Sequence, residues 1–501
     1  MSEDPDFDME VVEKDKLDEP RGNTEAGSQE AASSKSSSVE RKSTDSGISK
    51  SSGGESAEEA RVTGNGGGST ASPSLADSPD AWRQRKLGDL LSYEVSGTWG
   101  DDPDDGGGKP VLRATNFAPN SIDLGDVALR KISDSHRESK RLEEGDIVLE
   151  RSGGSADQPV GRVLFFDLEG EYYPGNFLRL MRPDPEVVNR RYLYYYLDYR
   201  YKRGDTIPVQ TNSTNIRNLQ YTSYLNLDTQ LPPLPEQRKI ASVLYAVDQA
   251  IQKTEAIIEQ AQRVKRGLMQ RLFHHGLEET NDYQTTKYGS APAHWEIKPI
   301  SDLAIQVQAG GTPDTDREEF YDGKIPWIRT GELRQKRIRD PEKSITEAGF
   351  ENSTARLFPK NTVLVAMYGA TAGESAMLDI EATSNQACCG VITDEEKILP
   401  EFLFQQLLYL KENLIALGAG SGQQNISKGI ISNFRVLVPQ LEEQTEIASM
   451  LRIWDEEVEA GEKKREQLKR LKKGLMQDLL TGEVRTADKA IEVLGEVKAH
   501  G

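Results

Sequence analysis

The sequence predicts an α+β chain in which two globular α/β domains are joined by two long helices. These helices are expected to pair as an antiparallel coiled coil about an internal pseudo-twofold, behind a disordered N-terminal tail. Three observations predict this. The phrase KRGLMQRL (Lys265 to Leu272) returns as KKGLMQDL (Lys472 to Leu479), an offset of 207 that needs no gap back to Glu236-Gln237 and Glu443-Gln444. Around that phrase, apolar residues step by four and three over five heptads in both copies. Upstream, each copy carries strand-like runs ending in glycine turns, similar in order but much less similar in sequence.

Residues 1–78 form the expected tail. Residues 1–80 hold eight Lys/Arg against eighteen Asp/Glu, are rich in Ser and Gly, and contain almost no aromatics. Such a segment cannot bury enough apolar surface to offset its ordering entropy. The remainder of the chain brings the net charge to −20. An acidic folded surface suits a salt-rich cytoplasm or simply adds solubility. The first globular domain is expected over residues 79–234. Pro79, Trp82 and Leu87-x-Asp89-Leu90 at its start are answered by Pro292, Trp295 and Ile300-x-Asp302-Leu303 at the start of the second, over residues 292–441. Inside them PVLRATNF (Pro110 to Phe117) parallels PWIRTGEL (Pro326 to Leu333). GDIVLERSGG (Gly145 to Gly154) parallels NTVLVAMYGA (Asn361 to Ala370), and STNI (Ser213 to Ile216) parallels QQNI (Gln423 to Ile426). The offset drifts between 207 and 216, so insertions have accumulated in the domains and not in the helices.

The helices are expected over residues 235–276 and 442–482, with a linker at 277–291 and an extension at 483–501. LPPLPEQ places proline in the first helical turn, where its missing N–H costs nothing, and VPQLEEQ opens the second helix in the same register. The first seam reads Ile240, Leu244, Val247, Ile251, Thr254, Ile258, Ala261, Lys265, Leu268, Leu272. The second reads Ile447, Leu451, Trp454, Val458, Gly461, Arg465, Leu468, Lys472, Leu475, Leu479. Both weaken at matching places, Thr254/Gly461 and Lys265/Lys472, and Gly276 and Gly482 stop them. At ~1.5 Å per residue such helices make a rod of about 57 Å. A duplicated unit tends to associate about a twofold, which would put the two domains at opposite ends of the rod.

Several function classes are excluded. No apolar run approaches the ~18 residues of a membrane span, and the acidic N-terminus is not a secretory signal. The two cysteines, Cys388 and Cys389, are adjacent, which predicts buried reduced thiols and not a disulfide framework or zinc site. There is no P-loop, no HExxH and no histidine cluster. LGAGSGQQN (Leu417 to Asn425) follows a helix and not a strand, so it reads as a helix C-cap and turn.

GGTPDTDREEFYDGKIPWIRTGEL (Gly310 to Leu333), MYGATAGESAMLDIEATSNQACCGVI (Met367 to Ile392) and LPPLPEQRKIASVL (Leu231 to Leu244) resemble recurring phrases of the specificity subunits of Type I restriction-modification enzymes. The resemblance runs from about Pro79 to Arg485. It implies that each globular domain is a target recognition domain for one half of a split double-stranded DNA site. The paired helices would set the spacing and dock two methyltransferase subunits, with restriction motor-nuclease subunits if encoded. It also implies a non-catalytic cytoplasmic chain that binds no cofactor, with S-adenosylmethionine, ATP and Mg2+ held by partner subunits. No Asn-Pro-Pro-aromatic motif for holding a flipped adenine occurs, nor a strand-borne acidic cluster for a metal-dependent nuclease. DDPDDGGGKP (Asp101 to Pro110) replaces the glycine-threonine-proline phrase in the first half, and the acidic tail lies outside the family pattern.

Reading bases needs polar side chains on loops or helix ends: Arg for guanine, Asn or Gln for adenine. The candidates are Arg113, Thr115, Asn116, Thr214 and Asn215 in the first half, and Arg329, Thr330, Tyr368, Asn385, Gln424 and Asn425 in the second. Asn385 and Asn176, placed as counterparts, can equally cap turns, and Arg329 can pair with Glu332. Lys202, Arg203 and the strip KREQLKRLKKG (Lys464 to Gly474) are the clearest basic segments; the strip fits a solvated helix face or a partner surface better than phosphate. Two other functions compete: a fused methyltransferase-nuclease with decayed motifs, and a coiled-coil scaffold without DNA specificity. A scaffold gives no reason to vary only the domains, and no cofactor motif supports the enzyme.

Overall fold

The computed structural model describes residues 82–485 except 104–106, 119–120, 156–157, 214–215, 279–280 and 419–424. The acidic tail and most of the C-terminal extension lie outside the described residues, as do Thr214, Asn215 and Gln424. In the first half, β1 (Arg83–Lys86) opens the domain, followed by β2 (Leu91–Ser96), β3 (Ile147–Glu150), β4 (Val163–Phe165) and β5 (Leu178–Pro183). Helix α1 (Arg190–Arg203), strand β6 (Asp228–Leu231) and the long helix α2 (Leu234–His275) complete it. Strands β2-β5-β3-β4 form an antiparallel sheet in that order. The second half repeats this with β7 (Glu296–Pro299), β8 (Ala304–Ala309), β9 (Arg337–Ile338), β10 (Val363–Ala366), β11 (Ser375–Leu378) and β12 (Cys388–Thr393), followed by α3 (Pro400–Tyr409), β13 (Arg435–Val438) and the long helix α4 (Leu441–Thr481). Its sheet, β8-β12-β10-β11, gains β9 as a fifth, parallel edge strand.

Each domain closes on itself before its long helix leaves. β1 pairs antiparallel with β6, and β7 with β13, so the chain departs beside the point where it began. The repeated Glu-Gln phrase at the start of each long helix now has a physical role. Gln237 is buried; its Oε1 accepts the amide of Asn189, the N-cap of α1, at 2.7 Å, and its Nε2 donates to the Pro232 carbonyl. Gln444 does the same for Leu399, the N-cap of α3, at 2.8 Å, and for the Pro439 carbonyl. Each glutamine thus ties a long helix to its own domain. The glutamate beside it reaches the end of the opposite long helix: Glu443 accepts the Leu277 amide just past α2 at 3.2 Å, as well as Trp295 Nε1 of its own domain at 3.0 Å, and Glu236 pairs with Arg485 just past α4 at 2.8 Å.

The two long helices run antiparallel, as the seam predicts. Ile240, Leu244, Val247, Ile251, Ile258, Leu272, Ile447, Leu451 and Leu479 are buried, while Leu268, Trp454, Val458, Leu468 and Leu475 are half-buried. The two apparent weak points are corrected. Lys265 and Lys472 are not flaws: Lys265 Nζ lies 2.5 Å from Asp455 Oδ1, and Lys472 Nζ lies 2.6 Å from Asp248 Oδ1. Each lysine meets the aspartate of the opposite helix, and the offset of 207 carries one bridge onto the other. Both lysines are only 7% exposed. Asp248 also accepts the Tyr195 hydroxyl from α1, and Asp455 the Gln405 amide from α3, each at 2.7 Å. At the other weak point, Gly461 makes room for a neighbour, since a Cβ there would lie 2.7 Å from Ile258 Cγ1. At its counterpart in the repeat, the Thr254 hydroxyl donates back to the Ala250 carbonyl.

The repeated KRGLMQRL phrase is not a surface for a partner subunit along its apolar side. Met269, Leu272 and Phe273 enter the core of the second domain with Trp295 and Phe402, and Met476, Leu479 and Leu480 enter that of the first with Leu87 and Tyr192. Meanwhile Ile240 and Leu244 pack in the first domain and Ile447 and Leu451 in the second. Every long helix therefore begins in its own domain and ends in the other, which puts the domains at opposite ends of the rod. Each buried side chain of that kind contributes about 1.5–3 kcal/mol. The glycine stops fit the same joint. Gly276, at φ +72°, lies against Pro292 and Trp295, and Gly482, at φ +78°, against Trp82.

Two outcomes follow. Lys265→Met leaves the half-buried Asp455 without its cation and should cost about 3 kcal/mol, whereas adding Asp455→Leu should return most of that loss. Urea unfolding of both variants checks this, and simple additivity of the two changes would contradict the paired-charge account. Cys388 and Cys389 are both buried in β12; burial pushes the Cys389 thiol up to about 12 and raises that of Cys388 as well. At neutral pH both stay protonated, so iodoacetamide should label neither in the native chain and both in urea.

Candidate nucleic-acid interface

The edge that carries the candidate residues is built the same way in both halves. A strand (Lys109–Leu112 or Tyr321–Ile328) runs into a 3-10 turn whose N-cap is arginine, Arg113 or Arg329. The third residue of each turn folds back onto that arginine's amide: Asn116 Oδ1 accepts it at 2.7 Å and Glu332 Oε1 at 3.0 Å. The same side chains then secure a loop ten residues on. Asn116 Nδ2 donates to the Asp123 and Asp126 carbonyls at 2.8 and 3.3 Å, and Glu332 Oε2 accepts the Glu342 amide at 3.0 Å. In each loop an acid meets the arginine side chain, Asp126 on Arg113 at 2.8 Å and Glu342 on Arg329 at 2.6 Å.

This geometry sorts the candidates. Asn116 is 2% exposed and its amide is spent inside the domain, so it builds the turn and does not present itself for contact. Arg329 pairs with Glu342 and not with Glu332, because the Glu332 carboxylate is buried beneath the turn and occupied by two backbone amides. Thr115 is exposed and Thr330 half-buried. Arg113 and Thr115 line a cleft of about 470 Å³ with Asn176, Phe177, Ser152 and Trp99.

In the second half, backbone hydrogen bonds lace the remaining candidates to the same edge. The Asn385 amide donates to the Ile328 carbonyl at 2.9 Å, Met367 to Ala387 at 2.8 Å, and Ile426 to Met367 at 2.8 Å. Arg329, Thr330, Tyr368, Asn385 and Asn425 are thereby gathered, with Tyr368 and Asn425 exposed. Asn385 Oδ1 is buried and has no hydrogen-bond partner.

The matching bonds in the first half correct two alignments. Gly175 donates to Leu112, Arg151 to Phe177, and Leu219 to Arg151. Gly175 therefore stands where Asn385 stands, and Asn176 answers Gln386, one place from the expected match. Likewise Asn218-Leu219, and not Asn215-Ile216, stands where Asn425-Ile426 stands. Asn218, which accepts the Ser152 hydroxyl, was missed by the sequence reading, although the offset of 207 held through the helices reaches it. Phe177 was also missed: it is 61% exposed at the mouth of the cleft, and no periodicity marks a lone aromatic on a loop.

The basic segments are largely compensated. Lys202 pairs with Asp198 at 2.7 Å and Arg203 with Asp205 at 2.9 Å. In the strip on α4, Arg465 lies 3.4 Å from Glu466, Lys469 lies 3.5 Å from Glu255, and Lys472 is the buried cation already described. Among the described residues no group of three or more His, Cys, Asp or Glu side chains is arranged to hold a metal, and no helix is long and apolar enough to cross a membrane.

Asn116→Ala should strip the Arg113 amide of its acceptor and lower stability by about 1–3 kcal/mol, while Thr115→Ala should change it by less than about 0.5 kcal/mol. Thermal or urea unfolding separates the two; equal effects would contradict the division into buried and presented residues.

Residues 79–263 and 292–470 each match the family described as Type I restriction modification DNA specificity domain. A putative Type I restriction enzyme MjaX specificity subunit of Methanocaldococcus jannaschii is 25% identical over 416 residues, covering 82% of this chain and 95% of that one. The MjaVIII specificity subunit of the same organism is 26% identical over 353 residues, covering 69% and 80%. The fold is shared with the crystal structure of a Type I restriction-modification S subunit from M. genitalium, with a TM-score of 0.56 at 14% identity over 80% of this chain and 96% of that one. With a matching domain in each half and the long helices carrying the end of each match, this chain belongs to the Type I restriction-modification specificity-subunit family.

Proposed function

We propose that this chain reads a bipartite, asymmetric double-stranded DNA target, one half-site per domain, and hands that choice to partner subunits. The observation that carries the reading is the turn with arginine at its N-cap, built alike in two domains that otherwise diverge and that sit at opposite ends of one rod. Divergent loops around a shared scaffold fit two different short sequences, and the pseudo-twofold turns the two readers toward opposite strand senses. Arg113 and Arg329 suit a guanine edge, and Asn385 and Asn425 suit adenine. Thr115, Thr330 and Tyr368 complete the presented set.

In this reading the chain is cytoplasmic, catalyses nothing and holds no cofactor. Two methyltransferase subunits bring S-adenosylmethionine and methylate adenine, and restriction subunits, where present, bring the ATP- and Mg2+-dependent motor and nuclease. A net charge of −20 leaves little non-specific attraction to phosphate. Affinity then rests on base contacts, shape and the partners.

Long-read methylation mapping, with and without this gene, tests the reading. A split motif methylated only when the gene is present is the expected result; no motif lost on deletion would overturn it. Half-sites about 10 base pairs apart would present the same duplex face to the rod. Removing one heptad from both α2 and α4, in register with the two lysine–aspartate bridges, shortens the rod by about 10 Å. That corresponds to roughly three base pairs of spacer. The mapped half-sites should stay the same while the gap between them shrinks; an unchanged gap would show that the rod does not set it.

A further inference from the structure

We propose that Asp126 and Glu342 are specificity guards, which hold Arg113 and Arg329 in reserve until a base edge displaces them. The proposal rests on the DNA-reading function above and names the residues that sharpen it. Three observations carry it. First, the acid stands thirteen positions after its arginine in both domains, although the segments between them share almost nothing. A local surface pair of no consequence would not be expected to survive that divergence twice. Second, the pairs are incomplete in the same way. Each acid is met through Nη2, which in the first domain also donates to the Asp126 carbonyl, while Arg113 Nε and Arg329 Nε are buried without any hydrogen-bond partner. The planar fork of arginine is made for two parallel bonds, and here one of them is unspent. Third, the acids are open to solvent, the Asp126 side chain 92% exposed and that of Glu342 62%, so water competes with the pair and breaking it costs little.

A guanine offers O6 and N7 side by side in the major groove, two acceptors that match Nε and Nη2. To use them, the arginine swings off its acid and brings Nε out of the turn. A lone phosphate oxygen offers no more than the acid already does, and it must also approach a carboxylate of its own sign. The acid therefore taxes phosphate contact more than base contact. Such a device suits a chain whose specificity must exceed its general attraction to DNA.

The test uses the full chain assembled with its methyltransferase subunits, the duplex carrying the motif mapped for the wild type, and an unrelated duplex of equal length. Glu342→Gln should raise affinity for the unrelated duplex by roughly fivefold, leave the target within about twofold, and spread methylation to sites altered at one position of a single half-site. Glu342→Asp, which keeps the charge, should behave as the wild type. The gain should vanish in Arg329→Ala/Glu342→Gln, since the guard acts only through its arginine. Asp126→Asn repeats the test at the other half-site, so a folding defect in one domain leaves the question decidable. Unchanged discrimination in both neutralised variants, or loss of target binding by them, would overturn the guard while leaving the DNA-reading function intact. A wild-type assembly with no preferred duplex would overturn both.

Discussion

Two buried charges hold this architecture to one arrangement. Lys265 and Lys472 are removed from water by the helix pair, and each meets there an aspartate of the opposite helix within 2.6 Å. Desolvation is the dominant influence on Lys265, lowering its pKa against the pull of Asp455. A slide of one helix by a single turn would strand two cations and two anions in the interior at several kcal/mol each. The apolar seam alone would tolerate such a slide far better, because one leucine can replace another along a heptad repeat. The bridges extend outward as well: Tyr195 ties one aspartate to the first domain and Gln405 ties the other to the second. Register of the rod and attachment of the domains are therefore one constraint.

The same constraint accounts for what the duplication kept. Each long helix serves two domains, its start packing in one and its end in the other. Any change in a helix is felt by the partner helix and by both domains. The presenting loops have no such obligations. Behind them, besides its sheet and its closing strand pair, each domain keeps what shapes the arginine turn: a strand, an N-cap arginine, and a third-position side chain of Asn or Glu that ties the turn to its loop. Divergence is then freer on the outside than along the rod, as a modular reader requires.

Much of this was legible in the residues. The offset of 207, the heptads and the terminal glycines located the helices to within about two residues, because helix geometry repeats over a distance the eye can count. The domains were legible as strands ending in glycine turns, and Gly153 and Gly369 do take positive φ. The candidate surface was less so. Asn116 and Arg113 look alike in sequence as polar residues after a strand, yet one is swallowed by the turn it builds and the other stands at the cleft. The matches Asn176/Asn385 and Asn215/Asn425 slipped, because loop insertions leave no periodicity by which to count.

What the sequence determined by itself was the duplication, the two long helices and the division into a constrained rod and divergent domains, since all of these rest on periodic spacing. Only the tertiary structure decided which residues of that pattern bear charge in the interior, which domain each helix end enters, and which polar side chains face outward. Those depend on partners some two hundred residues away, brought into contact by the antiparallel pairing. Lys265 was a flaw in a heptad until Asp455 was placed opposite it.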